Sequence, residues 1–207
     1  EPHHQKSHRL TLTYLATTKK CPLKCEHCFE WDNLNQKEKI SSANIHTMIE
    51  NLQSIGTTNI AFTGGEPMLR VQEITHAVQK YNDRSAFWII TSGFNFTEEN
   101  AANLKAAGLT GVVVSIDHHD PHQHDVFRRT EGSYRDALTA VKFSIDNDFV
   151  TAISTCITKA NATREYLDEF MRFARDLGVG FDGESVIFEI RRLLSSLVDL
   201  SATLKGA

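Results

Sequence analysis

What is scarce in this sequence narrows it first. No apolar run among its 207 residues approaches the roughly 20 residues that a membrane-spanning helix needs. Lysine and arginine (22) are outnumbered by aspartate and glutamate (26), for a net charge of −4. With no basic excess, the expectation is no nucleic-acid partner and no membrane partner. Prolines number only four (Pro2, Pro22, Pro67, Pro121), and no low-complexity tract is present, which argues against a disordered or fibrous chain. The first residues, Glu1-Pro2-His3-His4-Gln5-Lys6, lack the apolar core of an export signal. Together with unpaired thiols, that absence sets the expectation of a cytoplasmic protein. What remains is ordinary for one buried globular domain: 41% hydrophobic and 23% charged residues.

Cysteine is also scarce, at four, but three of them crowd into eight residues: Cys21-Pro22-Leu23-Lys24-Cys25-Glu26-His27-Cys28. The spacing is C-x3-C-x2-C, and the next cysteine is Cys156. A disulfide framework is a poor reading, because a chain of this length needs no staples. A closed zinc site wants four ligands, so it would need His27 or a distant histidine as the fourth. An iron–sulfur cube has four irons, and three thiolates would leave one of them open to a small molecule. Plain interior packing does not suit a loop carrying Pro22, Lys24 and Glu26. Cys156, isolated on an apolar run, reads most simply as a small buried residue.

Periodicity alternates along the chain. Strand-length runs occur at Leu10–Tyr14, Asn59–Thr63, Phe87–Thr91, Val112–Ile116 and Ala152–Ile157. Helical stripes lie between them: Ile45, Met48, Ile49, Leu52 after a Ser41-Ser42 cap; Val71, Ile74, Val78; Ala101 and Leu104 between Thr97 and Gly108; Tyr134, Ala137, Leu138, Val141; and Leu167, Phe170, Met171. About five βα units imply a parallel sheet with covering helices. A doubly wound sheet and an open, incomplete barrel both fit this pattern. Polar or small residues follow every strand, which favours the barrel with its site on one rim. A sixth strand is expected near Val186–Ile190, and Val186–Leu200 reads as helical. The division expected is an N-terminal extension over 1–9, the barrel over 10–190 and a C-terminal helical segment over 191–207. The run from Asp117 to Asp125, rich in histidine, reads as a solvated loop with Pro121 in its turn.

Directly after the second strand comes Thr63-Gly64-Gly65-Glu66-Pro67. Two glycines let the backbone approach a ligand closely, and Glu66 can accept hydrogen bonds from an ammonium group. Alone, the motif is most often a plain strand-to-helix connection. Paired with the upstream cysteines, it resembles the signature of the radical S-adenosylmethionine (radical SAM) enzymes. That signature is a C-x3-C-x-aromatic-C loop after the first barrel strand and a GGE-type motif after the second. Cys21, Cys25 and Cys28 match the first part, with His27 at the aromatic position. Gly64, Gly65, Glu66 and Pro67 match the second. Further on, Val114-Ser115-Ile116-Asp117, His124 to Arg128 and Gly132-Ser133-Tyr134 look like the strand-four region of the peptide-modifying, SPASM/twitch-type branch.

The resemblance covers about residues 10–177 and implies a partial (βα)6 TIM-like barrel of parallel strands with an open side. It implies a 4Fe-4S cluster on Cys21, Cys25 and Cys28, and S-adenosylmethionine at the open iron. It further implies reductive cleavage to a 5′-deoxyadenosyl radical that abstracts a hydrogen atom from substrate. By the same resemblance Glu66 and the backbone around Gly64–Gly65 hold the ammonium group, and Ser115, with Asp117 and Arg128 in the same region, contacts the methionine and ribose part. Ser92 stands where relatives often have asparagine, and Ile157 lies toward the adenine. The implied partners are a ribosomally made peptide as substrate and an electron donor such as flavodoxin or ferredoxin. The alternatives are an enzyme of cofactor biosynthesis or of glycyl-radical or sulfatase activation, an electron-transfer iron–sulfur protein, and a zinc-binding interaction module. Peptide maturases with auxiliary clusters need further cysteines, and none follows Cys156.

Overall fold

The computed structural model describes residues 10–30 and 32–179 in full and the backbone of 188–190. Six strands form one parallel sheet whose spatial order equals their sequence order. They are β1 (Leu12–Thr18), β2 (Asn59–Gly64), β3 (Ala86–Thr91), β4 (Gly111–Ser115), β5 (Val150–Thr155) and β6 (Phe188–Ile190). A doubly wound sheet reverses its strand order partway. This one never reverses, and β1 and β6 remain as its two edges. The architecture is therefore the expected partial barrel, with an open side. The sixth strand lies inside the segment expected to hold it, so the helical reading of Val186–Leu200 is wrong over Phe188–Ile190; residues 191–207 and 1–9 lie outside the described residues.

The connecting helices are α1 (Ser42–Ser54), α2 (Val71–Tyr81), α3 (Glu98–Ala107), α4 (Pro121–Arg128), α5 (Ser133–Asp146) and α6 (Arg164–Asp176). Their starts are written locally. Ser41 and Asn44 form a reciprocal capping box on α1. Thr97 and Thr163 cap α3 and α6, and Gly108 ends α3 in the left-handed conformation (φ 96°). A single 3-10 turn, Pro67–Arg70, precedes α2. The helices bury Ile45, Ile49, Ile74, Leu104, Val141 and Phe170 against Phe62, Phe87, Ile89, Val112 and Ile153 of the strands. Each such side chain contributes roughly 1.5–3 kcal/mol relative to exposure.

Helix α4 takes over the loop expected at Asp117–Asp125 from Pro121 onward, while Asp117–Asp120 stay non-helical. Asp120 caps it by accepting from Gln123 N at 2.8 Å, and Pro121 occupies its first turn. Its buried face is polar, His124 and Arg128 one turn apart, which is why apolar periodicity does not reveal it. Among the described residues, no helix is long and apolar enough to cross a membrane.

Candidate active site

The cysteine loop leaves the end of β1 and is fixed on three sides. On the first side lies the end of β2. Gly65 N donates to Thr18 O at 2.7 Å, and Glu66 N donates to Lys20 O at 2.8 Å. The two glycines exist for this approach. A Cβ on Gly65 would lie 2.2 Å from Lys20 O, and one on Gly64 (φ 131°) 2.4 Å from Thr18 O. The reading of Gly64–Gly65 as room for a ligand is thus corrected in part, since what comes close is the backbone leading into Cys21.

On the second side, Asn35 brackets Cys21. Its Oδ1 accepts from Cys21 N and its Nδ2 donates to Cys21 O, both at 3.1 Å. Asn35 sits at φ 60°, a conformation asparagine tolerates. Glu38 gathers Thr18 Oγ1 (2.6 Å), Lys19 N (3.1 Å), Lys39 N (2.9 Å) and Ile40 N (3.0 Å). Burial opposes its charge, yet these hydrogen bonds pull its carboxyl down to about 2. On the third side, Glu26 N donates to Phe127 O at 2.9 Å, and the His27 ring stacks on Phe127 at 4.7 Å and 7°. The imidazole at the aromatic position therefore uses its flat face against α4.

Glu66 is almost fully buried, and its carboxylate meets four donors of the chain. Met68 N (3.0 Å) and Thr91 Oγ1 (2.7 Å) reach one oxygen; Ser92 N (2.9 Å) and Ser92 Oγ (2.6 Å) reach the other. A carboxylate offers about four acceptor sites, so the sites expected to take an ammonium group are filled from within. Ser92 likewise spends both its donors on Glu66. Burial pushes the Glu66 carboxyl up, against the pull of Ser92, Met68 and Thr91. Pro67 opens the 3-10 turn beside it.

Asp117 and Arg128 form a buried ion pair. Arg128 Nε and Nη2 both reach Asp117 Oδ2 at 2.8 Å. The other oxygen accepts from Cys156 N at 2.9 Å, and Asp117 N donates to His124 Nδ1 at 3.2 Å. Burial works against the Asp117 charge, but the guanidinium holds its carboxyl below the usual range. Burial pushes His124 down to about 4, so it sits neutral in its enclosed position. Asp125 fixes the turn after α4 by accepting from Gly132 N (2.7 Å), Ser133 Oγ (2.8 Å) and Tyr134 N (2.8 Å).

Cys21, Cys25 and Cys28 are all half-buried. Burial pushes Cys21 up to about 12, with smaller additions from Glu66 and then Cys25 and Cys28. Burial also raises Cys25 and Cys28, while the Arg128 cation draws Cys25 back down. The structure thus brings together the three thiols, Glu66, Asp117 and Arg128. Ser115 ends β4 opposite Ser154, and Ile157 follows β5; both are half-buried at the same end of the sheet. Cys156 is buried at that end, held through its backbone by Asp117. The four cysteines form no disulfide. Among the described residues, no three His, Cys, Asp or Glu side chains converge as one metal ion requires. Three thiolates fall one ligand short of a closed zinc site, whereas a cube can leave its fourth iron open, so the donor set fits a four-iron cluster.

Two contributors carry no sequence signal on which the expectations rested: Asn35, with two hydrogen bonds to Cys21, and Glu38, which ties Thr18 and Lys19 to the chain beyond the loop. Phe127 lies in the run that carried the resemblance, but its contacts with Glu26 and His27 were not expected.

The family model described as Radical SAM superfamily matches residues 15–174. An AdoMet-dependent heme synthase of Nitratidesulfovibrio vulgaris is 27% identical over 146 residues, covering 70% of this chain and 40% of that protein. A GTP 3′,8-cyclase of Aquifex aeolicus is 25% identical over 179 residues, covering 84% and 55%. The crystal structure of Streptococcus suis SuiB bound to S-adenosylmethionine superposes with a TM-score of 0.73 at 16% identity, covering 96% of this chain and 46% of SuiB. The chain thus spans about two-fifths to just over half of these relatives.

Proposed function

Because the chain belongs to the radical SAM superfamily, whose members use a 4Fe-4S cluster and S-adenosylmethionine, we propose that it holds such a cluster on Cys21, Cys25 and Cys28 and acts as a radical SAM enzyme. The observation that carries this reading is the loop of three half-buried thiols tied to the GGE turn. When bound, the pair supplies one-electron cleavage of a carbon–sulfur bond and a 5′-deoxyadenosyl radical that takes a hydrogen atom from substrate.

The chain's own residues do the positioning. Asn35 and the Gly65–Glu66 backbone set where Cys21 stands, and α4 sets where Glu26 and His27 stand. Arg128 keeps a positive charge beside Cys25, steadied by Asp117, and its Nη1 is the nitrogen left to meet a carboxylate. Glu66 organises the rim by fixing Ser92 and the turn at Met68, leaving backbone carbonyls near Gly64–Gly65 as the acceptors offered to an ammonium group. Ser115 and Ile157 keep their proposed places toward the sugar and the base.

For the substrate we read a ribosomally made peptide. The likeness of Val114–Asp117 and Arg128 to peptide-modifying members supports this, and SuiB has also been solved bound to its precursor peptide SuiA. The second reading is a small molecule of cofactor biosynthesis, which the heme synthase and GTP cyclase relatives support. Anaerobic reconstitution followed by an assay for 5′-deoxyadenosine tests the activity. Cys25→Ala is expected to lose both the iron–sulfur absorbance and the product; product retained in that variant would end the assignment.

A further inference from the structure

Strand register sorts the side chains of the sheet onto two faces. Leu15, Phe62, Ile89 and Val112 belong to the core beneath the helices. Residues one position along each strand point the other way, onto the concave face. There Tyr14, Ala61, Trp88, Gly111 and Val150 form one row. Ile90, Val113 and Ala152 lie in the next, and Ser115 and Ser154 end the series at the cysteine rim. Tyr14 is 51% exposed and Leu12 46%, while Phe62, Ile89 and Val112 opposite are fully covered. Trp88 reaches across β4: a Cβ on Gly111 would lie 2.4 Å from its Cζ3, so β4 carries glycine where the indole crosses. No concave position on β1 to β5 bears a charge, and in β6 the register sets an acid, Glu189, beside Ser154. Arg128, at the rim, spends Nε and Nη2 on Asp117, and its Nη1 is the nitrogen proposed to meet the carboxylate of S-adenosylmethionine.

We infer that this face, with Tyr14 and Trp88 as its floor, seats an uncharged apolar side chain of a peptide substrate and rejects polyanionic small molecules. The inference rests on the radical SAM reading and decides between its two substrate classes. Carboxylates or phosphates brought onto these rows would lose water and meet no cation among the described strand positions, so they would be held there unpaired. An aliphatic or aromatic side chain loses nothing there and gains contact with Tyr14, Trp88 and Val113. The rows run continuously up to Ser115 and Ser154, so such a side chain points its carbons toward the thiol loop.

The test uses the full reconstituted chain and a short fluorescein-labelled peptide with a Leu-Phe-Leu block between Gly/Ser flanks. A matched peptide with Glu-Glu-Glu is the control, and iron coproporphyrin and GTP are unlabelled competitors. The apolar peptide is expected to bind by fluorescence anisotropy, the acidic one not, and neither competitor to displace it. Tyr14→Glu and Leu12→Glu, at exposed positions that spare the core, are each expected to weaken binding about tenfold, equal to ~1.4 kcal/mol. Equal binding of the acidic peptide, displacement by coproporphyrin or GTP, or wild-type affinity in both variants would overturn the inference. So would absence of peptide binding to wild type, the result if another part of the chain covers this face. Formation of 5′-deoxyadenosine by the wild type is measured in parallel. Product without peptide binding defeats the substrate inference alone, whereas no product defeats the enzyme reading beneath it.

Discussion

Gly65→Ala puts the coupling between the two motifs at risk with one methyl group. The added Cβ would stand 2.2 Å from Lys20 O and 2.7 Å from Lys20 C, where real Cβ atoms stay beyond 3.0 Å. The strand end leading into Cys21 must therefore retreat by about 0.8 Å, and both contacts are backbone, which cannot rotate aside. Overpacking of this kind costs about 1–3 kcal/mol. The retreat also lengthens Glu66 N–H···O Lys20, now 2.8 Å, and an internal hydrogen bond is worth about 1 kcal/mol net. We expect a loss of about 2–4 kcal/mol, within the 5–15 kcal/mol that keeps a domain folded. The variant should fold yet hold its first cysteine displaced. Urea unfolding of the metal-free chain measures the stability, and iron per chain after anaerobic reconstitution measures the displacement. A variant with wild-type stability and wild-type iron would refute the idea that the double glycine serves the cysteine loop. Lost stability with full iron would show that the loop tolerates the shift.

Asp117→Leu strands the buried Arg128 guanidinium and should cost about 3–5 kcal/mol. Adding Arg128→Met should recover most of that in urea unfolding; failure to recover would mean the pair is not the source. The folded-state carboxyl of Glu38 lies at about 2, below its ordinary 4.5. It therefore contributes stability present above about pH 4.5 and lost as pH falls toward 2. Glu38→Gln should flatten that acid limb of the unfolding midpoint, and an unchanged limb would contradict the role given to the Thr18, Lys19, Lys39 and Ile40 donors.

The fold was legible because burial in this chain is mostly apolar and periodic. Ile45 and Ile49, Ile74 and Val78, and Ala101 and Leu104 mark helix faces, and Thr97 and Gly108 mark the ends of α3 with side chain and backbone alone. Where the buried face is polar the signal fails: α4 buries His124 and Arg128 and so read as a loop. The site divides in the same way. Cysteine spacing is local, so Cys21, Cys25 and Cys28 could be picked out as a group. What holds them is not local. Asn35 on Cys21, Lys20 against Gly65 and Phe127 beneath His27 are meetings fixed only by the completed sheet. The partners of Glu66 were hidden for a related reason: apart from the local Met68 N, its donors are Thr91 and Ser92 at the end of β3, which no spacing rule links to it.

The tie from Glu26 to Phe127 bears on the order of assembly. A thiol loop near the start of the chain leans on a helix that follows the fourth strand, so it reaches its final shape only after most of the barrel has been made. On the proposed cluster reading, iron delivered to the nascent polypeptide would find the pocket unfinished until synthesis had passed that helix.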